Sequence, residues 1–412
     1  MALSSHPTGT GRSWVVIVAA GVAVGLQVWK VPPALPYLRH DLSLSLVQAG
    51  TLLGIVQLAG MLGGLAVSLL AELIGERRCL SGGLVLLFLG SAGGGFAWSA
   101  GPLLASRAVE GAGFILVAVT GPGLIRRVAP PGRFTTAMGF WSAYQGISTF
   151  GGLVIGALVL QVVPWRVWWW GMAVVALLPL PWVLARAPRD DAGGARGAAA
   201  GLARIGRTVR APAPWTAGLV FACYTLPWMA VVGFLPTIYR DGGMTGSWPG
   251  VLSALVGAAN AVGSIATAAL MKRGLPTRAL IVPAFVLMAV TSVLAFAVDW
   301  HGLPAGTAWQ FACVTVFSLT GGAIPATLLR MIGELTPAGG SAPATMGLIQ
   351  QLFNAGSFVG PTAAAWLATR TGDWHSTWWL TCACTATGIV LTRRLRPGTT
   401  TPVPEATAVP CT

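Results

Sequence analysis

Ser68-Leu-Leu-Ala-Glu72-Leu-Ile-Gly75-Glu76-Arg77-Arg78 ends in a short basic gap between two apolar runs, 47–70 before it and 80–98 after it. Each run is long enough for an α-helix that crosses a bilayer, which takes about 20 apolar residues, and cytoplasmic loops collect Lys and Arg while short outer loops do not. The gaps on either side differ, since 38–46 carries a lone Arg39 and 99–101 carries no basic residue. Basic residues return in the next alternate gap as Arg126, Arg127 and Arg133, and the pattern holds to the end of the chain. Nineteen of the 25 Lys and Arg side chains fall in tails and in or at the edges of alternate gaps, four at the others, and only Lys30 and Arg107 lie well inside a run. The alternation is a topology map with the N-terminus inside.

The reading gives twelve spans: 14–37, 47–70, 80–98, 102–125, 136–160, 165–184, 215–239, 248–270, 280–298, 309–332, 345–369 and 378–392. An odd number would break the charge pattern. Trp14, Trp98, Trp165, Trp215, Trp248, Trp309 and Trp378 stand at span ends, where an amphipathic ring favours the headgroup layer. A composition that is 55% hydrophobic and 9% charged, with a mean hydropathy of +0.74, describes a polytopic membrane protein. The net charge of +14 belongs to loops facing anionic headgroups, so nucleic acid is not an expected partner. The first run is too long for a signal-peptide core and lacks a small-residue exit, so no cleaved leader is expected.

Other chemistries find little support. The six cysteines read as small apolar residues, and Cys382-x-Cys384 is one residue short of the redox spacing. His6, His40, His301 and His375 lie in tails or outer loops with Asp41, Asp299 and Asp373 nearby, and no metal spacing, nucleophile motif or phosphate-binding glycine loop occurs. No metal, cofactor or ATP-driven step is expected, and the chain does not read as an enzyme. A membrane-embedded transferase would need longer outer loops than these.

Residues 1–13 form a cytoplasmic tail, 14–184 a first six-helix bundle, 185–214 a flexible Ala/Gly/Arg-rich cytoplasmic linker, 215–394 a second bundle and 395–412 a disordered tail. An internal repeat supports the division. An offset of 200 places Leu35-Pro36 on Leu235-Pro236, Asp41 on Asp241, Gly50 on Gly250, Gly63 on Gly263 and Arg78 on Arg278. An offset of 208 places Met138-Gly139 on Met346-Gly347 and Gly152 on Gly360. Parallel repeats of six spans build one large class of secondary transporter.

Charges and amides inside the spans are the candidate site. Arg107 and Glu110 are three apart on one helical face and suit either proton coupling or a structural ion pair. Lys30 lies six residues before Pro36, roughly 9 Å below the outer end at 1.5 Å per residue. With Arg107 and Glu110 at a similar depth, the local sum is +1, which suits an anionic substrate; the alternative is a Lys30 that snorkels to the headgroups. Trp141, Gln145 and Ser148 share a helical face, with Tyr144 beside them, as do Gln350 with Asn354 and Tyr224 with Trp228. These residues either line a cavity or glue helices together.

Two motifs resemble a known family. Glu72, Gly75, Arg77 and Arg78 match in kind the G-x-x-x-D-[RK]-x-G-[RK]-[RK] turn of the major facilitator superfamily, with Ser68, Leu73 and Glu76 departing from it. Leu103-x-x-x-Arg107-x-x-Glu110-Gly111-x-Gly113 resembles that superfamily's L-x-x-x-R-x-x-Q-G-x-G pattern, Glu110 replacing the amide. A cation before a double proline, with Arg107 to Phe114, is most similar to its cyanate-permease and nitrate/nitrite-porter side, although Lys30 stands where arginine is usual. The resemblance implies twelve helices in two pseudo-symmetric bundles and transport by alternating access. It also implies a gating role for Glu72, Gly75, Arg77 and Arg78 and a coupling role for Arg107. The expected protein is an inner-membrane monomer that moves a small organic or inorganic anion, proton-coupled or by exchange. The fifth span lacks the Gly-Pro pair typical of drug antiporters, which weighs against the alternative, efflux of a hydrophobic or aromatic compound; a transporter-like solute sensor is a second alternative.

Overall fold

The computed structural model describes residues 13–130, 133–190, 198–298, 300 and 305–395, so the outermost parts of both expected tails lie outside it. All twelve expected spans are helical. In the first half they are α1 (Ser13–Trp29) with α2 (Val31–Asp41), α3 (Leu46–Gly54) with α4 (Val56–Ile74), α5 (Glu76–Gly94) and α6 (Ala100–Val128). α7 (Phe134–Val159) and α8 (Trp165–Leu177) with α9 (Leu180–Arg186) complete that half. Beyond the linker helix α10 (Ala198–Arg210) come α11 (Pro212–Asp241), α12 (Trp248–Lys272) and α13 (Thr277–Phe296). α14 (Gly306–Gly321) with α15 (Ala323–Arg330), the single turn α16 (Ile332–Leu335), α17 (Ala342–Thr371) and α18 (Thr377–Arg394) close the chain. Among the described residues eight helices are long and apolar enough to cross a membrane, and nine if the bent pair α3 and α4 is one span.

Local chemistry explains the breaks. Pro32 and Pro33 lack the N–H groups that would reach the Val28 and Trp29 carbonyls, and the first span is interrupted at Lys30. α3 starts on a capping box, in which the Ser45 hydroxyl accepts from the Gln48 amide at 3.1 Å and the Gln48 side chain accepts from the Ser45 amide at 2.9 Å. α3 and α4 then meet at a 47° bend. The described part of the expected flexible linker includes a helix, α10, with Leu202, Ile205 and Val209 on one face and Arg204, Arg207 and Arg210 on another. Arg207 donates to the Gly339 carbonyl at 3.2 Å, and the Thr208 hydroxyl accepts from the Ser341 amide at 2.9 Å, docking α10 against the start of α17.

The chain folds as two six-helix bundles. Within the first, α6 packs on α4 and α5, α1 on α7, and α5 on α8; within the second, α13 packs on α14 and α18, and α11 on α17 and α18. Between them, α3 and α4 lie on α17, and α7 lies on α12. That pairing is reciprocal, as the internal repeat requires. A Cβ on Gly50 would stand 2.5 Å from the Pro361 carbonyl oxygen and 3.0 Å from the Ala365 Cβ. On the other side, a Cβ on Gly250 would meet the Ala157 Cβ at 2.3 Å. Gly250 is Gly50 shifted by 200, and Ala365 is Ala157 shifted by 208, so the two seams exchange roles. Asp41 accepts from the Trp165 indole at 2.9 Å, and its repeat mate Asp241 accepts from the Trp374 indole at 3.2 Å.

Candidate functional site

Lys30, Arg107 and Glu110 form one cluster, and they are the charged residues with no exposed surface among those described. The Lys30 ammonium donates to Glu110 Oε1 at 2.8 Å, to Ser91 Oγ at 2.7 Å and to Gln27 Oε1 at 3.0 Å. An ammonium has three donors, and all three are used. The ring of Trp169 lies 4.7 Å from the same nitrogen, and Ser91 and Gln27 are held in turn by the carbonyls of Trp169 and Met172. Arg107 pairs with the other oxygen of Glu110 and donates to the Gln27 carbonyl at 2.8 Å. Burying a charge costs several kcal/mol unless it is paired and hydrogen-bonded, and Glu110 answers both cations at once.

This geometry corrects two expectations about Lys30. The side chain does not reach the headgroups, since it is wholly enclosed between α5, α6 and α8. It does not line the central cavity either, because the face of the first span that carries Gln27 and Lys30 turns away from the second bundle. Its neighbour Trp29 takes the cavity wall instead. Sequence distance from Pro36 gave the depth of Lys30, but the direction of the side chain was set by packing. Gln27, one turn earlier, was the available signal; Ser91 and Trp169 left none.

The cavity occupies about 1780 Å³ between the bundles and opens toward the arginine-rich end. Trp141, Tyr144, Gln145, Tyr224, Trp228, Gln350 and Asn354 all line it, joined by Trp29, Gln57 and Asn260. Ser148 does not, because its hydroxyl donates to the Val22 carbonyl at 2.9 Å and fastens α7 to α1. The aromatic rings are held in place. Trp29 meets Trp228 edge to face across the two bundles with centroids 5.6 Å apart, and Trp141 packs on Tyr144 at 4.9 Å. Asn260 donates to the Tyr224 hydroxyl at 2.9 Å and to the Ser318 carbonyl at 2.8 Å, while the Trp228 indole donates to the Ser318 hydroxyl at 3.0 Å. Gln57 Oε1, Gln145 Oε1 and both amide atoms of Asn354 are buried and have no partner among the described residues. A buried amide without a partner is costly, so these groups are the ones a solute or a rearranged bundle has most to gain by meeting. Gly60 makes room for Asn354, whose amide nitrogen would lie 2.2 Å from an added Cβ.

At the mouth stand Glu76, Arg126, Arg127 and Asp190. Asp190 organises the turn after α4. Its carboxylate accepts from the Arg77 amide at 3.1 Å and the Arg78 amide at 3.0 Å, capping α5, and pairs with Arg127 at 3.3 Å. Gly75 sits at φ +97°, and a Cβ there would fall 2.0 Å from the Asp190 Cγ, so glycine is required twice over. Arg127 also reaches Glu76 at 3.9 Å, and Arg77 donates to the Leu184 carbonyl. The side chain of Glu72 lies outside the described part. Of the four expected gating residues, Gly75, Arg77 and Arg78 are thus brought together by an acid from beyond α9, which the linker reading passed over.

Two pseudo-symmetric helical bundles around a cavity open at one end are an architecture shared by membrane transporters. The chain belongs to the Major Facilitator Superfamily, whose family model matches residues 17–305 and 217–410. It is 27% identical over 400 residues to the cyanate transport protein CynX of Escherichia coli (strain K12), covering 93% of this chain and 97% of that one. It is 32% identical over 164 residues to the tetracenomycin C resistance and export protein of Streptomyces glaucescens, a match spanning 38% of this chain and 30% of that protein. Its fold is similar to the crystal structure of a D-xylose-proton symporter, with a TM-score of 0.72, 15% identity and coverage of 93% of this chain and 97% of the other.

Proposed function

We propose that this transporter carries a small organic or inorganic anion across the inner membrane by alternating access, with the arginine-rich end and both termini in the cytoplasm. The observation that carries this reading is the buried cluster behind Trp29, where two cations face one acid and no other described charge is fully buried. A surplus of +1 in a low-dielectric interior raises the potential in the adjoining cavity and favours an anion there. The likeness to a cyanate transport protein over nearly the whole of both chains supports the same reading. Both carboxylate oxygens of Glu110 are engaged by cations, which supports a fixed counter-ion rather than a proton carrier, and exchange as the mode of coupling. The chain works as a monomer in this reading.

Proteoliposomes preloaded with cyanate, nitrite or acetate, and assayed for counterflow of the same labelled anion, test the proposal. Saturable exchange is the expected result. No flux of any of these anions, with tight binding of a neutral aromatic compound, would sink it in favour of a second reading, export of aromatic solutes. Trp29, Trp141, Tyr144, Tyr224 and Trp228 on the cavity wall favour that alternative.

A further inference from the structure

A smaller cleft of about 320 Å³ lies at the end of the molecule opposite the cavity mouth, over the closed seam between α2 and α11. Arg39 and His40 come to it from the first bundle, and Thr237, Arg240 and Asp241 from the second. Neither arginine forms an ion pair with a described carboxylate. Arg240 donates to the Tyr37 hydroxyl at 3.2 Å and stacks over that ring at 4.8 Å, while the Nε of Arg39 is buried with no partner. Of the nearby acids, Asp241 shares the cleft without pairing with either arginine, which leaves the cleft a net positive charge, and Asp41 does not line it. Asp41 holds the Trp165 indole, His40 at 3.4 Å and Arg166 at 3.7 Å, and Asp241 accepts from Trp374. The Thr237 hydroxyl completes the picture, since the residue is 2% exposed and its oxygen has no partner among the described residues.

We infer that this cleft is a binding site for a small oxyanion or carboxylate, held between the guanidinium groups of Arg39 and Arg240 with the Thr237 hydroxyl as a further donor. Two like charges brought to one cleft from separate bundles repel each other, and a bound anion turns that repulsion into two charge-assisted hydrogen bonds. Guanidinium is suited to the task because its planar fork matches a carboxylate. The site is separate from the cavity and does not depend on what the cavity carries.

Phenylglyoxal labelling of arginines in the intact purified protein, read by peptide mass spectrometry, tests the assignment with acetate as the probe and acetamide as its neutral isostere. With acetate about tenfold above its dissociation constant, labelling of Arg39 and Arg240 should slow together by about tenfold, as mass action requires. Acetamide should change neither, and Arg166, already paired with Asp41, should respond to neither compound. In Arg39→Gln the acetate protection of Arg240 should disappear, and in Arg39→Lys it should weaken. Equal labelling with and without acetate, or undiminished protection of Arg240 in Arg39→Gln, overturns the site. Labelling needs no flux, so a failure of anion transport leaves this result standing, and anion transport without protection removes this site alone.

Discussion

Glu110 is the residue on which the interior of the first bundle depends. It accepts from Lys30 and Arg107 at once, and neither cation pairs with another acid among the described residues. Glu110→Gln leaves two charges buried without a counter-charge, and breaking a buried pair in this way costs roughly 3–5 kcal/mol. Thermal unfolding in detergent should show a large fall for Glu110→Gln. Lys30→Met should be much milder, because it leaves the Arg107 and Glu110 pair neutral; an equal or greater loss in Lys30→Met would reverse this ranking. The same cluster shows where the sequence is legible and where it is not. Arg107 and Glu110 could be paired from their spacing alone, because a helix brings i and i+3 together. Lys30 could be assigned a depth, but three residues from other helices and from its own decide which way it points.

At the scale of single elements, the start of α5 rests on one carboxylate from outside its helix. Asp190→Ala should cost about 1 kcal/mol, the usual value of an N-cap, and speed hydrogen exchange at the Arg77 and Arg78 amides. Gly75→Ala should raise exchange at the same amides, because the new Cβ occupies the place of the Asp190 carboxyl. Unchanged protection in both variants would mean that the turn is held by its arginines alone. Helix boundaries within the apolar runs followed hydropathy closely, whereas the breaks at Lys30 and Ile55 did not, since a proline pair signals a kink but a bend between two apolar turns carries no compositional mark. The cavity side chains on α7, α11 and α17 were legible from their shared faces. Gln57 was missed because it is a lone amide with no polar companion at i+4, Asn260 because its companion at i+4 is only the small hydroxyl of Ser264, and Asp190 because it lies in a stretch read as linker.

For the whole molecule, the reciprocal seams at Gly50 and Gly250 fix how the bundles meet at the closed end. Gly50→Leu or Gly250→Leu should hold the bundles apart there and shift the population toward a state open on that side. A cysteine at Trp29, in a background with the native cysteines replaced, should then react several times faster with an impermeant maleimide added outside vesicles of matching orientation. No change in either variant would place the joint elsewhere. The twelve spans and their division in two were written in the charge alternation and the 200-residue offset. The pairing of seams was not, because it appears only when glycines from one half lie on alanines of the other.

That joint has a thermodynamic consequence. Glycine has no side chain to order, and a backbone carbonyl has no rotamers to release. Parting glycine from carbonyl, or glycine from alanine, therefore unlocks almost no rotational freedom. Any two states that differ by opening this seam stay close in rotamer entropy, and a modest difference in how tightly each one binds a ligand is enough to choose between them.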